Sequence, residues 1–171
     1  KMENINIIAT LFGTLITLLL SIVAYFIKQL HTDFKSMEKD LIEVLTQRYS
    51  NDTTISRSFL DSCYAVGMRK VYKKYPSDAT IASLFAESLM DLHPWNLWNK
   101  DGSIQPWTQE IMAVLEKSLQ VEPNHAGANH FYIHATEMSP HPEASIISAD
   151  LPRNLVPGSG HLVHMPSHTY I

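Results

Sequence analysis

The sequence predicts an all-α protein: an α-solenoid of stacked antiparallel helix pairs preceded by a single transmembrane helix. Three observations carry this expectation. Residues 5–27 contain no charged side chain. Downstream, apolar residues recur at helical spacing, and Pro123 and Pro157, each following a helix-like run, stand 34 residues apart. No stretch alternates apolar and polar residues with the period of two that a half-buried strand needs.

Composition narrows the classes. With 171 residues, 45% hydrophobic and 18% charged, the chain can bury a core and is not a disordered polymer. Thirteen Lys and Arg stand against 17 Asp and Glu, a net charge of −4. That leaves no basic excess for phosphates, so no nucleic-acid partner is expected. Cys63 is the single cysteine, which excludes an internal disulfide framework and a cysteine-based zinc module and suits a reducing compartment. Histidine is the outlier: there are nine, most of them between residues 125 and 168.

The run INIIATLFGTLITLLLSIVAYFI, as a helix of 23 residues, spans about 34 Å, enough for a hydrocarbon core of ~30 Å. Tyr25 and Phe26 sit where an interfacial aromatic belt would lie, and Lys28 closes the segment. A signal peptide would have a shorter apolar region, a more basic start and a small-residue cleavage site. An uncleaved anchor over 1–28 is therefore expected, with a signal peptide or a buried helix as rivals. Lys28, Lys35 and Lys39 follow the span and place the repeat domain in the cytoplasm. If the N-terminal segment is foreign to the rest, the alternative is a soluble cytoplasmic protein. Residues 29–50 read as a polar helical linker, with Leu30, Phe34, Met37 and Leu41 at helical spacing.

Residues 51–171 read as the helical repeat domain. A first helix covers 54–74, stopped at Tyr75-Pro76, and Ser77-Asp78 starts a second over 79–92. The loop HPWNLWNKDGSIQPW follows, then a third helix over 109–120 with Thr108 as its cap. The interval from Pro76 to Pro123 is 47, longer than 34 by 13, which the 93–106 loop accounts for as an insertion. A 34-residue period of helix–turn–helix units is the tetratricopeptide signature. In such a stack each helix pair is buried by its neighbours.

The segments RYS (48–50), VYKKYPSDA (71–79), AESLMDLHPWNLW (86–98), VEPNHAGANHFYIHATEMSPHPE (121–143) and VPGSGHLVHMPSHTYI (156–171) resemble a bacterial family of tetratricopeptide-repeat proteins. The resemblance covers residues ~45–171 and implies a fold rather than a reaction. It also implies that first helices line a concave groove and that the histidine slots below are ligand-contacting ones. Family members have further repeats on both sides, so the chain reads as truncated at its C-terminal end, or as a fragment or fusion. Two features depart from the family: the membrane segment, and Pro152, which should kink or shorten a second helix.

Aligning the units on their prolines places Ser83, His130 and His164 seven residues on, Glu87, His134 and His168 eleven on, and Met90 and Glu137 fourteen on. Positions i, i+4 and i+7 share one helix face, so His130, His134 and Glu137 project together, as do His164 and His168 on the next first helix. Packed helices lie ~8–10 Å apart, close enough for imidazoles from both to meet. The candidate metal ligands are His130, His134, Glu137, His164, His168 and Glu87, for Zn, Fe, Mn or Cu. Phe131 follows His130, so no zincin glutamate is present. His161 is a reserve ligand. His125 reads as a cap or a groove-rim residue, His141 as surface, and His31 as solvent-exposed linker.

The groove is expected to be lined by Ser83, Met90, His161, Trp95 and Trp98. All three tryptophans, Trp95, Trp98 and Trp107, lie in the inserted loop; packing that pins the insertion is favoured over a ligand lid. Tyr132 and Tyr170 are further candidates for the lining, with Tyr132 read as core. No phosphate-cradling loop and no G-x-S-x-G elbow occur, and Cys63 reads as core. Two functions follow. The first is a membrane-anchored binding module whose histidine-lined groove docks a peptide, a partner protein or a small ligand. The alternative is a His/carboxylate metalloprotein, which includes the possibility of a metal-dependent enzyme with Glu137 or Glu87 as further ligand or base; the reaction type is not encoded.

Overall fold

The computed structural model describes residues 2–151 and 155–170. It divides into two compact units, residues 1–40 and 41–171. All regular structure among the described residues is helical, apart from one isolated antiparallel bridge between Trp98 and Ile104.

The first unit is carried by α1 (Met2–Thr46), whose last turns belong to the second unit. This helix is long and apolar enough to cross a membrane, by length and composition, and none of its apolar stretch is buried within the chain. Its hydroxyls are satisfied internally. Thr10 donates to the Asn6 carbonyl at 2.8 Å, Thr14 to Leu11 at 2.9 Å, Thr17 to Gly13 at 2.7 Å and Ser21 to Thr17 at 2.8 Å. Side chains folded back in this way leave no free donor on an apolar helix. The expected linker is helical and unbroken up to Thr46.

In the second unit the helix starts follow their caps. α2 (Arg57–Lys74) begins where the Ser56 hydroxyl accepts from the Phe59 amide, three residues later than periodicity alone places it. α3 (Ala79–Asp91) is capped by Asp78, which accepts from the Ile81 amide at 2.8 Å. α4 (Thr108–Val121) starts one residue earlier than expected, with Trp107 at the cap position and no side-chain cap bond. Thr108, expected to cap it, is fully buried and donates to the Leu97 carbonyl at 2.7 Å. Its hydroxyl thus ties the inserted loop to α4. α5 (Ala126–Thr136) is capped by His125, whose Nδ1 accepts from the Ala128 amide at 3.1 Å. The sequence left His125 between cap and rim; it is the cap.

The chain then runs through a 3-10 turn (Pro142–Ser145), α6 (Ile146–Asp150), α7 (Gly160–His164) and α8 (Pro166–Thr169). Pro152 lies outside the described residues. Each helix from α2 to α5 packs on its successor in the chain, α3 also packs on α5, and α6 packs on α8. The main core is built from Tyr64, Met68, Ile81, Phe85, Ile111 and Leu115, all fully buried. Each such side chain contributes roughly 1.5–3 kcal/mol of transfer free energy. Gly67 lets the end of α1 approach α2: a Cβ there would lie 2.7 Å from Cγ1 of Val44. Arg69 of α2 holds Glu110 of α4 in a two-pronged ion pair, one prong at 2.8 Å. Near the C-terminal end Ile133, Ala149 and Met165 form a second core, which sets α8 against α5 and α6.

Candidate metal centre

α5 presents His130 and His134 one turn apart, with ring centroids 4.7 Å apart. Against them stands His161 of α7, its centroid 4.9 Å from that of His130 and 6.1 Å from that of His134. One nitrogen from each of these three rings lies within 4.8 Å of the others. A tetrahedral ion with ligands at ~2.0–2.1 Å needs donor nitrogens about 3.3 Å apart. The three donors are thus close enough to hold one ion once drawn together.

The surroundings of His130 keep its ring neutral. Nδ1 of His130 is buried with no hydrogen-bond partner, a state that costs about 1–3 kcal/mol unless something binds it. Burial, together with the positive potential of His134, His161 and His168, pushes the His130 pKa down to about 4. Its ring is therefore neutral at physiological pH, the form that ligates.

Glu137, at the C-cap of α5, orders the neighbours. Its Oε1 lies 2.9 Å from Nδ1 of His134 and its Oε2 lies 2.5 Å from Nδ1 of His168. A carboxylate only accepts, so both rings carry their proton on Nδ1 and present Nε2 outward. Nε2 of His168 is in turn 3.0 Å from Nε2 of His164. Glu137 thus stands behind the imidazoles, both oxygens engaged by rings, in the position from which carboxylates orient metal-binding histidines.

Among the described residues, the structure thus brings together His130, His134 and His161 as the three-donor group, with Glu137 and His168 adjoining and His164 beyond them. The expected continuous first helix through His164 and His168 is broken. Pro166 has no amide proton and its ring displaces the preceding turn, so α7 ends at His164 and α8 restarts at Pro166. The reserve histidine, His161, joins His130 and His134 from an exposed position, in place of His164. Pro166 was visible in the sequence and was the signal for this break.

Glu87 is engaged elsewhere. Its carboxylate lies 3.0 Å from Nη1 of Arg48, whose Nη2 is 2.7 Å from Asp91. Burial, first of all, raises the Asp91 pKa, despite Arg48 beside it. The Arg48 guanidinium also stacks over Tyr64, 4.8 Å from the ring centroid, and burial pushes the Tyr64 hydroxyl up to about 12. Ser83 is buried at the α3–α5 contact, its Oγ 3.2 Å from Nδ1 of His125.

Glu87, Met90, Trp95 and Trp98 line a cavity of about 290 Å³ together with His130, His134 and Glu137. The tryptophans divide by role. Trp98 donates its indole N–H to the Ala135 carbonyl of α5, and Trp107 donates to Asn96, each at 2.8 Å. Trp107 also stacks on His93, ring to ring at 3.9 Å. These two pin the insertion, as packing predicted. Trp95 is 74% exposed, with its ring edge-on to His134 at 6.2 Å. Tyr132 is half-buried, with its hydroxyl 3.4 Å from Glu116, and Tyr170 donates to Asp150. Neither belongs to the cavity wall.

No family model, curated protein or solved structure matches this chain.

Proposed function

We propose that this chain is a membrane-anchored metal-binding protein. In this reading α1 is the anchor, with residues 5–27 in the bilayer and the helices that follow it on the cytoplasmic side. The helices from α2 onward are tetratricopeptide-like pairs that carry the histidine cluster. The observation that carries the reading is the group His130, His134 and His161, three imidazole nitrogens within 4.8 Å of one another. The unpartnered Nδ1 of His130 and the carboxylate behind His134 support it. Neutral nitrogen donors without thiolate favour Zn, Cu or Fe, with Mn the poorest match.

The cavity beside the cluster favours a second reading, a binding module that takes its ligand without metal. Its volume of about 290 Å³ lies at the lower end of small-molecule sites, so a small ligand suits it better than a protein segment.

The deciding experiment is metal analysis of the full chain, purified in detergent, beside the His130→Ala/His134→Ala variant. Near-stoichiometric metal in the parent and loss in the variant are expected. Folded protein that takes up no metal after challenge with Zn, Cu, Fe and Mn would overturn the metal reading and leave the second one.

A further inference from the structure

The cavity restricts what a bound ion can meet. His130 and His134 belong both to the donor group and to the cavity wall, whereas His161 does not line the cavity. An ion held by three imidazoles keeps a coordination position open. The rest of the wall is largely apolar: Met90, Leu97, Trp98 and Phe131, with Trp95 at the rim.

The charge on that wall is uneven. Glu87, Asp91 and Glu137 all line it; Glu137 has both oxygens on histidine Nδ1 atoms, and Arg48 alone pairs with Glu87 and Asp91, at 3.0 and 2.7 Å. Two carboxylates against one guanidinium leave that part of the wall unfavourable for a second anionic group. A divalent ion on three neutral imidazoles, by contrast, attracts one.

Trp95 supplies the second, independent observation. It is the one non-glycine residue with positive φ among the described residues, at 59°. For a bulky side chain this conformation costs about 1–2 kcal/mol. It also leaves a large aromatic ring 74% exposed beside His134. Neither cost is recovered by burial, and strain of this kind gathers where a ligand is clamped.

We propose that the ion and the cavity together take one small molecule with a planar apolar body and a single anionic oxygen donor. The donor binds the metal, the body fills the space between Met90, Leu97 and Phe131, and the Trp95 ring forms its outer face. The inference rests on the metal reading above.

The test uses the full chain in detergent, freed of metal and loaded with Co(II), with the visible absorption of the bound ion as the readout. Benzoate and acetate share the anionic carboxylate donor and differ in the apolar body. Benzoate is expected to bind at least about tenfold tighter, because its ring is buried. In Trp95→Gly, which removes the ring and relieves the backbone, Co(II) affinity should stay within about twofold while the preference falls about threefold or more; Trp95→Phe should retain it. Equal affinities in the parent chain, or an unchanged preference in Trp95→Gly, would overturn the ligand proposal and leave the metal reading standing. Failure to bind Co(II) would overturn both.

Discussion

Oε1 of Glu137 lies 2.9 Å from Nδ1 of His134. This contact fixes the proton on Nδ1 and leaves Nε2 as the lone pair. Replacing Glu137 by Gln keeps the shape and lets either face of the amide meet the ring. Metal affinity, measured by competition with a chromophoric chelator, is expected to fall about 10–100-fold. The helical content by circular dichroism should be unchanged.

His161 and His164 are one helical turn apart on α7, yet only His161 joins His130 and His134. His161→Ala should therefore weaken metal binding far more than His164→Ala, by about tenfold or more. Equal losses, or the larger loss at His164 that two matched His-x-x-x-His pairs imply, would refute the assignment.

Asp91 and Glu110 should shift stability with pH in opposite directions. Burial raises the Asp91 pKa, so the native state holds more protons than the unfolded chain between the unfolded and native values. Its contribution is therefore present below the unfolded pKa and lost as pH rises through the native one. Arg69 lowers the Glu110 pKa, so the Glu110 contribution is present above the unfolded value and lost as pH falls through the native one. In urea titrations of the metal-free chain, Asp91→Asn should gain stability relative to the parent as pH rises from 4 to 7. Glu110→Gln should lose relative stability over the same range.

Two loop residues with positive φ predict opposite outcomes. Gly102 has φ 82°, and a Cβ there would lie 2.9 Å from Cγ of Pro140. Gly102→Ala is expected to cost about 1–2 kcal/mol. Trp95 has φ 59°, and Trp95→Gly is expected to be neutral or slightly stabilising, read as the shift in thermal midpoint.

The anchor is tested by charge. Ile16 is exposed and central in the uncharged run. An arginine there should oppose insertion by about 2.5–3.5 kcal/mol. The parent chain is expected to stay with membranes after alkaline extraction and Ile16→Arg to be released; release of both would dismiss the anchor.

The helices were legible because their signals are local. Asp78, placed before an apolar run, starts α3 as expected, and the charge-free segment gave a long exposed helix. Thr108 was misread as a cap because its partner, the Leu97 carbonyl, is eleven residues away across the insertion. The cluster was legible in part. Helical spacing brought His130, His134 and Glu137 together, but proline-based register selected His164, whereas the structure sets the exposed His161 beside His130 and His134 and starts a new helix at Pro166, before His168. Glu87 kept the expected neighbourhood and acquired a partner, Arg48, from a segment 39 residues earlier that no periodicity connects to it. Sequence spacing describes single helices well; the pairing of charges between helices is decided by packing.

The helices α7 and α8 have five and four residues, far below the ~12–15 that an isolated helix needs in water. They hold their shape through Met165, buried against Ile133 and Ala149, and through His168 at Glu137. His161, on the first of them, is also one of the three proposed donors. With metal bound there, occupancy of the centre and the ordering of this end of the chain would form a single linked equilibrium, in which ligation contributes to folding. Metal supply would set how long this segment stays hidden from proteases, and so how long the molecule survives.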